Sequence, residues 1–207
     1  MKNLTELHLL HPTVLDNDID KAALLAVKSN LAGLCVPPYW VKKASRETKN
    51  TLTSLITVIG YPFGYQRTEA KQAEAELAFT DGVDEIELVL NLSAIKSDRM
   101  NWIKAEIARF AKLVHAQEKM LTVSVPFENL TGKELEKVCQ VASEAGTDYL
   151  KNSSFSAEKI TISQIKTFRQ LTHQTVALKI FIPEADEKAM KEILDLGIER
   201  ICVAQFS

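Results

Sequence analysis

The sequence predicts a single (β/α)8 TIM barrel that lacks the final helix, and three observations lead to this fold class. Short aliphatic and β-branched runs alternate with segments of helical apolar periodicity along the whole 207-residue chain. Eight strand-like runs can be counted, which is the number that a closed barrel requires. No Pro-, Gly- or Ser-rich linker divides the chain, so residues 1–207 are predicted to form one domain. A doubly wound open sheet is the competing arrangement.

The predicted strands are short and mostly apolar, as parallel strands buried on both faces are. They cover residues 4–10, 31–36, 55–60, 84–90, 121–126, 148–152, 176–181 and 200–204. The predicted helices cover residues 18–30, 39–49, 68–80, 101–117, a segment after Thr131, 161–171 and 184–196. Strict alternation of strands and helices implies parallel strands joined by right-handed crossovers.

Several helical segments carry start and stop signals. Thr131 and Glu134 have the spacing of a capping box, in which each side chain binds a backbone N–H at the helix start. Gly82, Gly146 and Gly197 each stand between a helical segment and the next strand, where a glycine ends a helix. These signals support the predicted order of elements.

The predicted eighth strand lies close to the last residue of the sequence, so no helix is expected after it. Such a gap would expose apolar barrel surface. A homodimer or a larger homo-oligomer that covers this surface is therefore expected.

Composition and charge exclude several classes of partner. The 25 basic and 27 acidic side chains give a net charge of −2 and form no run of like charge, so neither nucleic acid nor an anionic membrane is an expected partner. The longest uncharged stretch, residues 50–66, contains Gly60, Pro62 and Gly64 and cannot be a membrane-spanning helix.

The cysteines and histidines do not predict a metal site. Cys35, Cys139 and Cys202 are far apart and form no CxxC pair, which argues against a disulfide framework or a zinc site and favours a reducing cytoplasm. His8 and His11 are three residues apart, a spacing that puts them on opposite faces of a strand. With no secretion signal at the start of the sequence, a cytoplasmic location is expected.

Ionisable side chains interrupt three predicted strands where a barrel core is usually apolar. Lys151 ends the strand 148–152, Lys179 lies inside a neighbouring strand, and Glu87 lies in the strand 84–90. Charges at the carboxyl ends of barrel strands point to the face where such enzymes have their active sites. The alternatives are that a lysine extends to solvent, or that Glu87 is only its structural partner.

Two lysines on adjacent strands predict a particular chemistry. Burial and a second ammonium group both favour the neutral amine, so Lys179 is expected to lower the pKa of Lys151. A neutral lysine can form a Schiff base with a carbonyl compound, and the protonated imine then accepts electrons from the adjacent carbon–carbon bond. The sequence therefore predicts a lyase that needs no metal and no other cofactor.

Five motifs carry a resemblance to a known family. Residues 57–64 read TVIGYPFG, and residues 34–38 read LCVPP. A K-x-x-E motif at 71–74 is followed by GVDEIELVLN at 82–91, and residues 149–155 read YLKNSSF. In this order they resemble the motifs TVIGFPxG, VCVxP, KxxE…GAxEIDxVxN and FIKTSTG of deoxyribose-phosphate aldolases.

The resemblance implies roles for individual residues. Lys151 would form the Schiff base, Lys179 would tune it, and Glu87 would take the place of the family's catalytic aspartate, one methylene further from the backbone. The remaining positions implied to lie at the substrate are Glu6, Cys35, Asn91, Ser153 and Ser154. The implied reaction is the reversible cleavage of 2-deoxyribose 5-phosphate, or a related deoxy sugar, into acetaldehyde and a second aldehyde.

Three segments depart from the family where it binds phosphate. Residues 179–184 read KIFIPE where the family has KxxGGIR, residues 202–207 read CVAQFS where it has GxSS, and residues 152–155 read NSSF where it has TSTG. Bulky side chains, a proline and the α-carboxylate of Ser207 are all expected to weaken phosphate binding. Three functions stay open: the family reaction, an aldolase for an acceptor without phosphate, and a non-catalytic metabolite-binding barrel.

Overall fold

The computed structural model of the protein describes residues 1–153 and 160–206, and eight parallel strands within them close into a barrel. The strands are β1 (Thr5–His8), β2 (Gly33–Val36), β3 (Ser54–Ile59), β4 (Glu85–Val89), β5 (Met120–Val125), β6 (Tyr149–Asn152), β7 (Ala177–Glu184) and β8 (Arg200–Gln205). Each strand pairs with the next in the sequence, and β8 pairs with β1. The predicted TIM barrel is confirmed, and the open sheet is excluded because the sheet has no free edge.

Helices follow the strands on the outside of the barrel. They are α1 (Asp16–Lys28), α2 (Val41–Thr48), α3 (Thr68–Asp81), α4 (Leu92–Lys96), α5 (Met100–His115), α6 (Gly132–Glu144), α7 (Ile162–Leu171) and α8 (Glu187–Leu194). Helix α4 is an addition to the predicted set, because five residues are too few to show a helical period. No helix follows β8 in the described part of the chain, and no helix there is long and apolar enough to cross a membrane.

The predicted helix signals act as expected. The Thr131 hydroxyl accepts a hydrogen bond from the Glu134 amide, and the Glu134 carboxylate accepts one from the Thr131 amide at 2.7 Å, which together form the capping box of α6. Helix α3 ends at Gly82, whose φ of +98° lies in the left-handed region that glycine adopts without strain.

Apolar packing lies mainly between the sheet and the helices, whereas the barrel interior is largely polar. A small interior cluster of Cys35, Ile56 and Val58 packs with Leu10 on one side. The charged and imidazole side chains buried in the rest of the interior are Glu6, His8, Glu85, Glu87, Lys151 and Lys179. Buried charges are stable only when they are paired, so their partners define the interior of this barrel.

Strand β7 is longer than the sequence predicted. It continues to Glu184, and its last residues pair with β8 through Ile182 to Val203 and Glu184 to Gln205. Ile180, Phe181 and Ile182 favour extended backbone, and these residues stand where the resemblance had implied a glycine-rich loop. The upper edge of the barrel is therefore closed by strand backbone at this position.

Candidate active site

A cavity of about 500 Å³ opens at the carboxyl ends of the strands. Its walls come from β1 and the segment after it, the turn after β3, and the ends of β4, β6, β7 and β8. The lining residues are His8, Leu9, Leu10, His11, Pro12, Val14, Tyr61, Glu87, Lys151, Ser153, Phe181, Ala204 and Gln205. A larger cavity of about 660 Å³ lies around the segments that precede β3, β4 and β5, away from the buried lysines. The first cavity is the candidate active site because Lys151 lies in its wall.

Lys151 and Glu87 form a buried ion pair in this wall. Lys151 Nζ donates a hydrogen bond to Glu87 Oε1 at 2.8 Å, and both residues are at most 3% exposed. Burial alone would lower the pKa of Lys151, but the Glu87 carboxylate outweighs it and raises that pKa above the ordinary value of a lysine. Burial alone would raise the pKa of Glu87, but the Lys151 ammonium outweighs it and lowers that pKa. At rest the pair is charged.

Lys179 lies in the barrel interior and is neutralised by two carboxylates of its own. Its Nζ donates to Glu6 Oε1 at 2.6 Å and to Glu85 Oε1 at 2.5 Å. These acceptors stand on β1 and β4, which are not neighbours of β7, so the contacts cross the interior of the barrel. Burial lowers the pKa of Lys179, and the two carboxylates reverse this effect and raise it.

This arrangement corrects the predicted tuning of Lys151. The two lysines do face each other in the pairing of β6 and β7. However, Lys179 is bonded to Glu6 and Glu85 and does not act on Lys151 as a free positive charge, and the pKa of Lys151 is raised, not lowered. The sequence could not predict this because the pairing depends on contacts between distant strands.

The other predicted site residues fall into separate groups. Cys35 is buried, and its sulfur lies within 4.8 Å of a carboxylate oxygen of Glu87. Ser153 lines the cavity and donates to the Val125 carbonyl at 3.2 Å. Glu6 lies outside the cavity lining and binds Lys179, so its predicted contact with substrate is corrected to a supporting position.

One further predicted site residue, Asn91, does not line this cavity. Asn91 caps helix α4, where its side-chain oxygen accepts hydrogen bonds from the Ala94 amide and the Ser93 hydroxyl, and it lines a different surface cavity. This correction reflects a local capping role that the motif alone did not distinguish from substrate binding. Ser154 and the α-carboxylate of Ser207 lie outside the described residues.

His8 is a site residue that the sequence reasoning missed. It is 3% exposed, forms part of the cavity wall, and has its Nε2 atom 3.1 Å from Glu6 Oε2. The spacing of three between His8 and His11 had placed the two histidines on opposite faces of the strand and gave His8 no role. The useful signal was the spacing of two between Glu6 and His8, which places both side chains on one face of β1.

Asn152 fixes the backbone at the cavity mouth. The Phe181 amide donates to Asn152 Oδ1 at 2.8 Å, and Asn152 Nδ2 donates to the Phe181 carbonyl at 3.3 Å. The Asn152 side chain thereby binds both the N–H and the C=O group of Phe181. These two hydrogen bonds lie just beyond Lys151 and Lys179, the last paired residues of β6 and β7. The backbone N–H group of Phe181 is therefore already satisfied.

Two groups of side chains are close enough to be considered for metal binding. Glu6, His8 and Cys202 form one, and His8, Cys35 and Glu87 form the other, each with its atoms within 4.8 Å. In both groups the carboxylate already accepts a hydrogen bond from a lysine. Burial also raises the pKa of both thiols, which opposes the thiolate form that binds metal. The geometry therefore favours ion pairing in these groups.

A TIM barrel with a buried lysine–carboxylate pair in the wall of its carboxyl-end cavity has the arrangement of an aldolase. The chain is 31% identical over 198 residues to a deoxyribose-phosphate aldolase of Lactococcus lactis, a match that covers 93% of this chain and 89% of the relative. It is 32% identical over 196 residues to the deoxyribose-phosphate aldolase of Thermococcus kodakarensis, covering 93% and 87%. No protein-family model matches the chain.

Solved structures give the same result. A structure described as "QR15, an Aldolase" superposes with a TM-score of 0.91 at 25% identity and covers 98% of this chain and 90% of its own. The deoxyribose phosphate aldolase of Aeropyrum pernix superposes with a TM-score of 0.88 at 18% identity and covers 98% and 86%. The chain belongs to the deoxyribose-phosphate aldolase family and is a lyase of the aldolase type, which leaves the non-catalytic alternative without support.

Proposed function

We propose that the protein is a class I aldolase that forms a Schiff base between acetaldehyde and Lys151. The observation that carries this proposal is the 2.8 Å hydrogen bond from Lys151 Nζ to Glu87 Oε1 in the cavity wall. Transfer of one proton along this bond converts the ammonium into a neutral amine and Glu87 into a carboxylic acid. The amine then has the lone pair that attack on a carbonyl carbon requires.

Glu87 can return the same proton at the next step. Attack of Lys151 on acetaldehyde gives a carbinolamine, and Glu87 protonates its hydroxyl group, which leaves as water. The resulting iminium ion accepts the electron pair of the adjacent bond, so a neutral enamine forms and can attack a second aldehyde. Glu87 thus accepts the proton that Lys151 Nζ loses and donates it to the hydroxyl group that leaves as water.

Borohydride trapping tests this proposal. Incubation with acetaldehyde and borohydride is expected to add one ethyl group to Lys151, identified by intact mass and peptide mapping. Lys151→Met is the matched control and should lose the active-site adduct while retaining slow labelling of surface lysines. An absence of adduct on Lys151, or labelling of surface lysines alone, would refute the Schiff base.

We further propose that the acceptor aldehyde carries no phosphate. In the last residues of β7, the amide of Phe181 is bound by Asn152, Ile182 is paired with β8, and Pro183 has no N–H group to offer. Arg200 begins β8 at the opposite end of the barrel, where its Nε lies 3.9 Å from Glu6 Oε1. These contacts support a cavity mouth in which the last residues of β7 offer few free backbone donors to a phosphate group.

The comparison of kcat/KM for 2-deoxyribose 5-phosphate and 2-deoxyribose tests the acceptor. Two or three charge-assisted hydrogen bonds, at about 1.5–3 kcal/mol each, would give a preference for phosphate of about 10³ or more. We expect a ratio far below this value. A strong preference for the phosphorylated sugar would contradict the proposal and restore the family substrate.

We also propose a homodimer or a larger homo-oligomer in the cytoplasm. The Aeropyrum pernix relative is described as tetrameric, and the three cysteines of this chain are free thiols, as a reducing compartment favours. Light scattering at micromolar concentration should give a mass above that of one chain. A monomer would contradict the assembly, and recovery outside the cytoplasmic fraction of cells would contradict the location.

A further inference from the structure

His8 has one ring nitrogen that is bound and one that is free. Its Nε2 atom lies 3.1 Å from Glu6 Oε2. Its Nδ1 atom is buried and has no hydrogen-bond partner among the described residues. An unpartnered polar atom in a buried position is unfavourable, so a group that completes it during the reaction is the simplest reason for its presence.

The bound nitrogen determines the tautomer of the ring. Glu6 also accepts a hydrogen bond from Lys179 at 2.6 Å, and its pKa is lowered: burial acts to raise it, but Lys179 and His8 outweigh burial. An ionised carboxylate can only accept, so the proton of the neutral imidazole resides on Nε2. The lone pair is then on Nδ1, which makes this atom the basic position of the ring.

His8 stands beside the reacting pair. One of its ring nitrogens lies within 4.8 Å of a carboxylate oxygen of Glu87, which itself binds Lys151 Nζ at 2.8 Å. One oxygen atom that forms a hydrogen bond of about 2.8 Å to each of these two groups, His8 and Glu87, would bridge a distance of this size. Both His8 and Lys151 also contact the ring of Phe181, with centroid distances of 6.3 and 5.6 Å.

We propose that His8 is a catalytic residue that carries the proton of the carbon atom next to the Schiff base, an assignment that rests on the proposed Schiff base at Lys151. In the acetaldehyde iminium ion, Nδ1 takes a methyl proton, the C–H electrons form the C=C bond, and the C=N π electrons move to nitrogen. The products are a neutral enamine and an imidazolium ion. On carbon–carbon bond formation the imidazolium gives its proton to the new alkoxide oxygen, which restores neutral His8.

The surroundings of His8 suit a base that works near neutral pH. The titratable groups near it are Glu6 on β1, Cys35 on β2, Glu87 on β4, Lys151 on β6 and Cys202 on β8. Burial and then the Lys151 ammonium lower the pKa of His8 below its ordinary value, and the nearby carboxylates offset only part of this. The imidazole is therefore neutral at pH 7, as a proton acceptor must be.

Hydrogen–deuterium exchange of acetaldehyde measures this step without any acceptor aldehyde. In D₂O the wild type should exchange the methyl hydrogens of acetaldehyde, followed by NMR, with activity falling on the acid side below pH 6.5 as His8 becomes protonated. His8→Gln keeps an N–H donor for Glu6 but has no basic nitrogen. This variant should exchange at least about 100-fold more slowly than the wild type, and the fall of the exchange rate at acid pH should disappear.

Two comparisons separate this assignment from the Schiff base itself. Borohydride trapping of acetaldehyde on Lys151 should proceed in His8→Gln within about threefold of the wild type, since imine formation does not use His8. His173→Gln is the matched control, because His173 is exposed and binds Thr175. Its exchange rate should equal that of the wild type. If His8→Gln fails to fold, judged by circular dichroism, His8→Asn replaces it.

Four results would overturn the assignment. Exchange by His8→Gln within threefold of the wild type would exclude a proton-transfer role. Slow exchange with an unchanged acid-side fall would assign that fall to another group. Loss of trapping in a folded His8 variant would place His8 in imine formation. Absence of trapping in the wild type would instead refute the Schiff base and, with it, this proposal.

Discussion

Replacing Glu87 by glutamine should lower the pKa of Lys151. The variant therefore loses a catalytic group, and yet its Lys151 is neutral over a wider pH range. Glu87→Gln keeps the length and shape of the side chain but removes its charge. In the wild type this charge holds Lys151 as an ammonium ion that is 4% exposed at its side chain. Without it, burial is the dominant influence, and burial favours the neutral amine.

The size of the effect follows from the distance between the charges. Unit charges 2.8 Å apart, the distance from Lys151 Nζ to Glu87 Oε1, attract each other by about 6 kcal/mol at an effective dielectric constant of about 20. This energy corresponds to about 4 pKa units. Because water can enter to solvate the unpaired ammonium group in part, we expect a downward shift of at least about two pKa units.

The pH dependence of cyanoborohydride trapping with acetaldehyde measures the shift. The initial rate of labelling at Lys151 follows the neutral fraction of the amine, so the midpoint of this profile should move to lower pH in Glu87→Gln. Steady-state aldol turnover should fall by about 10²-fold or more, since no group returns the proton to the leaving hydroxyl. A labelling midpoint at lower pH, together with slower turnover, is the expected combination.

Glu85→Gln provides the matched control for this experiment. Glu85 is a buried carboxylate on the same strand, but it binds Lys179 and not Lys151. Its replacement should leave the trapping midpoint of Lys151 close to that of the wild type. A midpoint in Glu87→Gln that is equal to or above the wild-type value would refute the assignment of Glu87 as the group that keeps Lys151 charged.

Three further predictions concern stability. Lys71→Met should lower the free energy of unfolding in urea by about 3 kcal/mol, since the fully buried Lys71 binds Glu106 at 3.0 Å and the variant leaves that carboxylate unpaired; a change below 1 kcal/mol would contradict this. Lys179→Met should cause a loss of similar size by leaving two buried carboxylates without their cation, and wild-type stability would argue against the interior ion pairs. The lowered pKa values of Glu6 and Glu87 contribute stability that is present above about pH 4.5 and is lost as the pH falls below it. The urea midpoint of unfolding should therefore decrease between pH 5 and pH 3. A constant midpoint would exclude this contribution.

The fold could be predicted from the sequence because its determinants are local. Apolar runs of strand length, helix caps such as Thr131 and glycines such as Gly82 are each legible within a few residues, and the strand count then selects the barrel. Two details were not predictable in this way. Helix α4 has too few residues to show a period, and the extension of β7 to Glu184 depends on pairing with β8.

The sequence allowed a prediction only of those site residues that place a charge in a buried strand, because such charges are unusual. Lys151, Lys179 and Glu87 stood out for this reason, and the structure brings all of them into the barrel interior. Which lysine pairs with which carboxylate could not be predicted, because strands that are far apart in sequence face each other across the barrel. The same limitation concealed His8, whose partner Glu6 is local but whose position beside Glu87 is not.

The ion pairs of the interior divide into a group that performs the proposed chemistry and a group that supports it. Lys179 is shared by Glu6 and Glu85, so this second group holds one more carboxylate than ammonium. Burial, and then repulsion by Glu6, raise the pKa of Glu85 even though Lys179 opposes them, whereas the pKa of Glu6 is lowered. A proton that enters this group therefore binds to Glu85. Glu6 then stays ionised and continues to hold the Nε2 proton of His8, so the group keeps the basic nitrogen of His8 available.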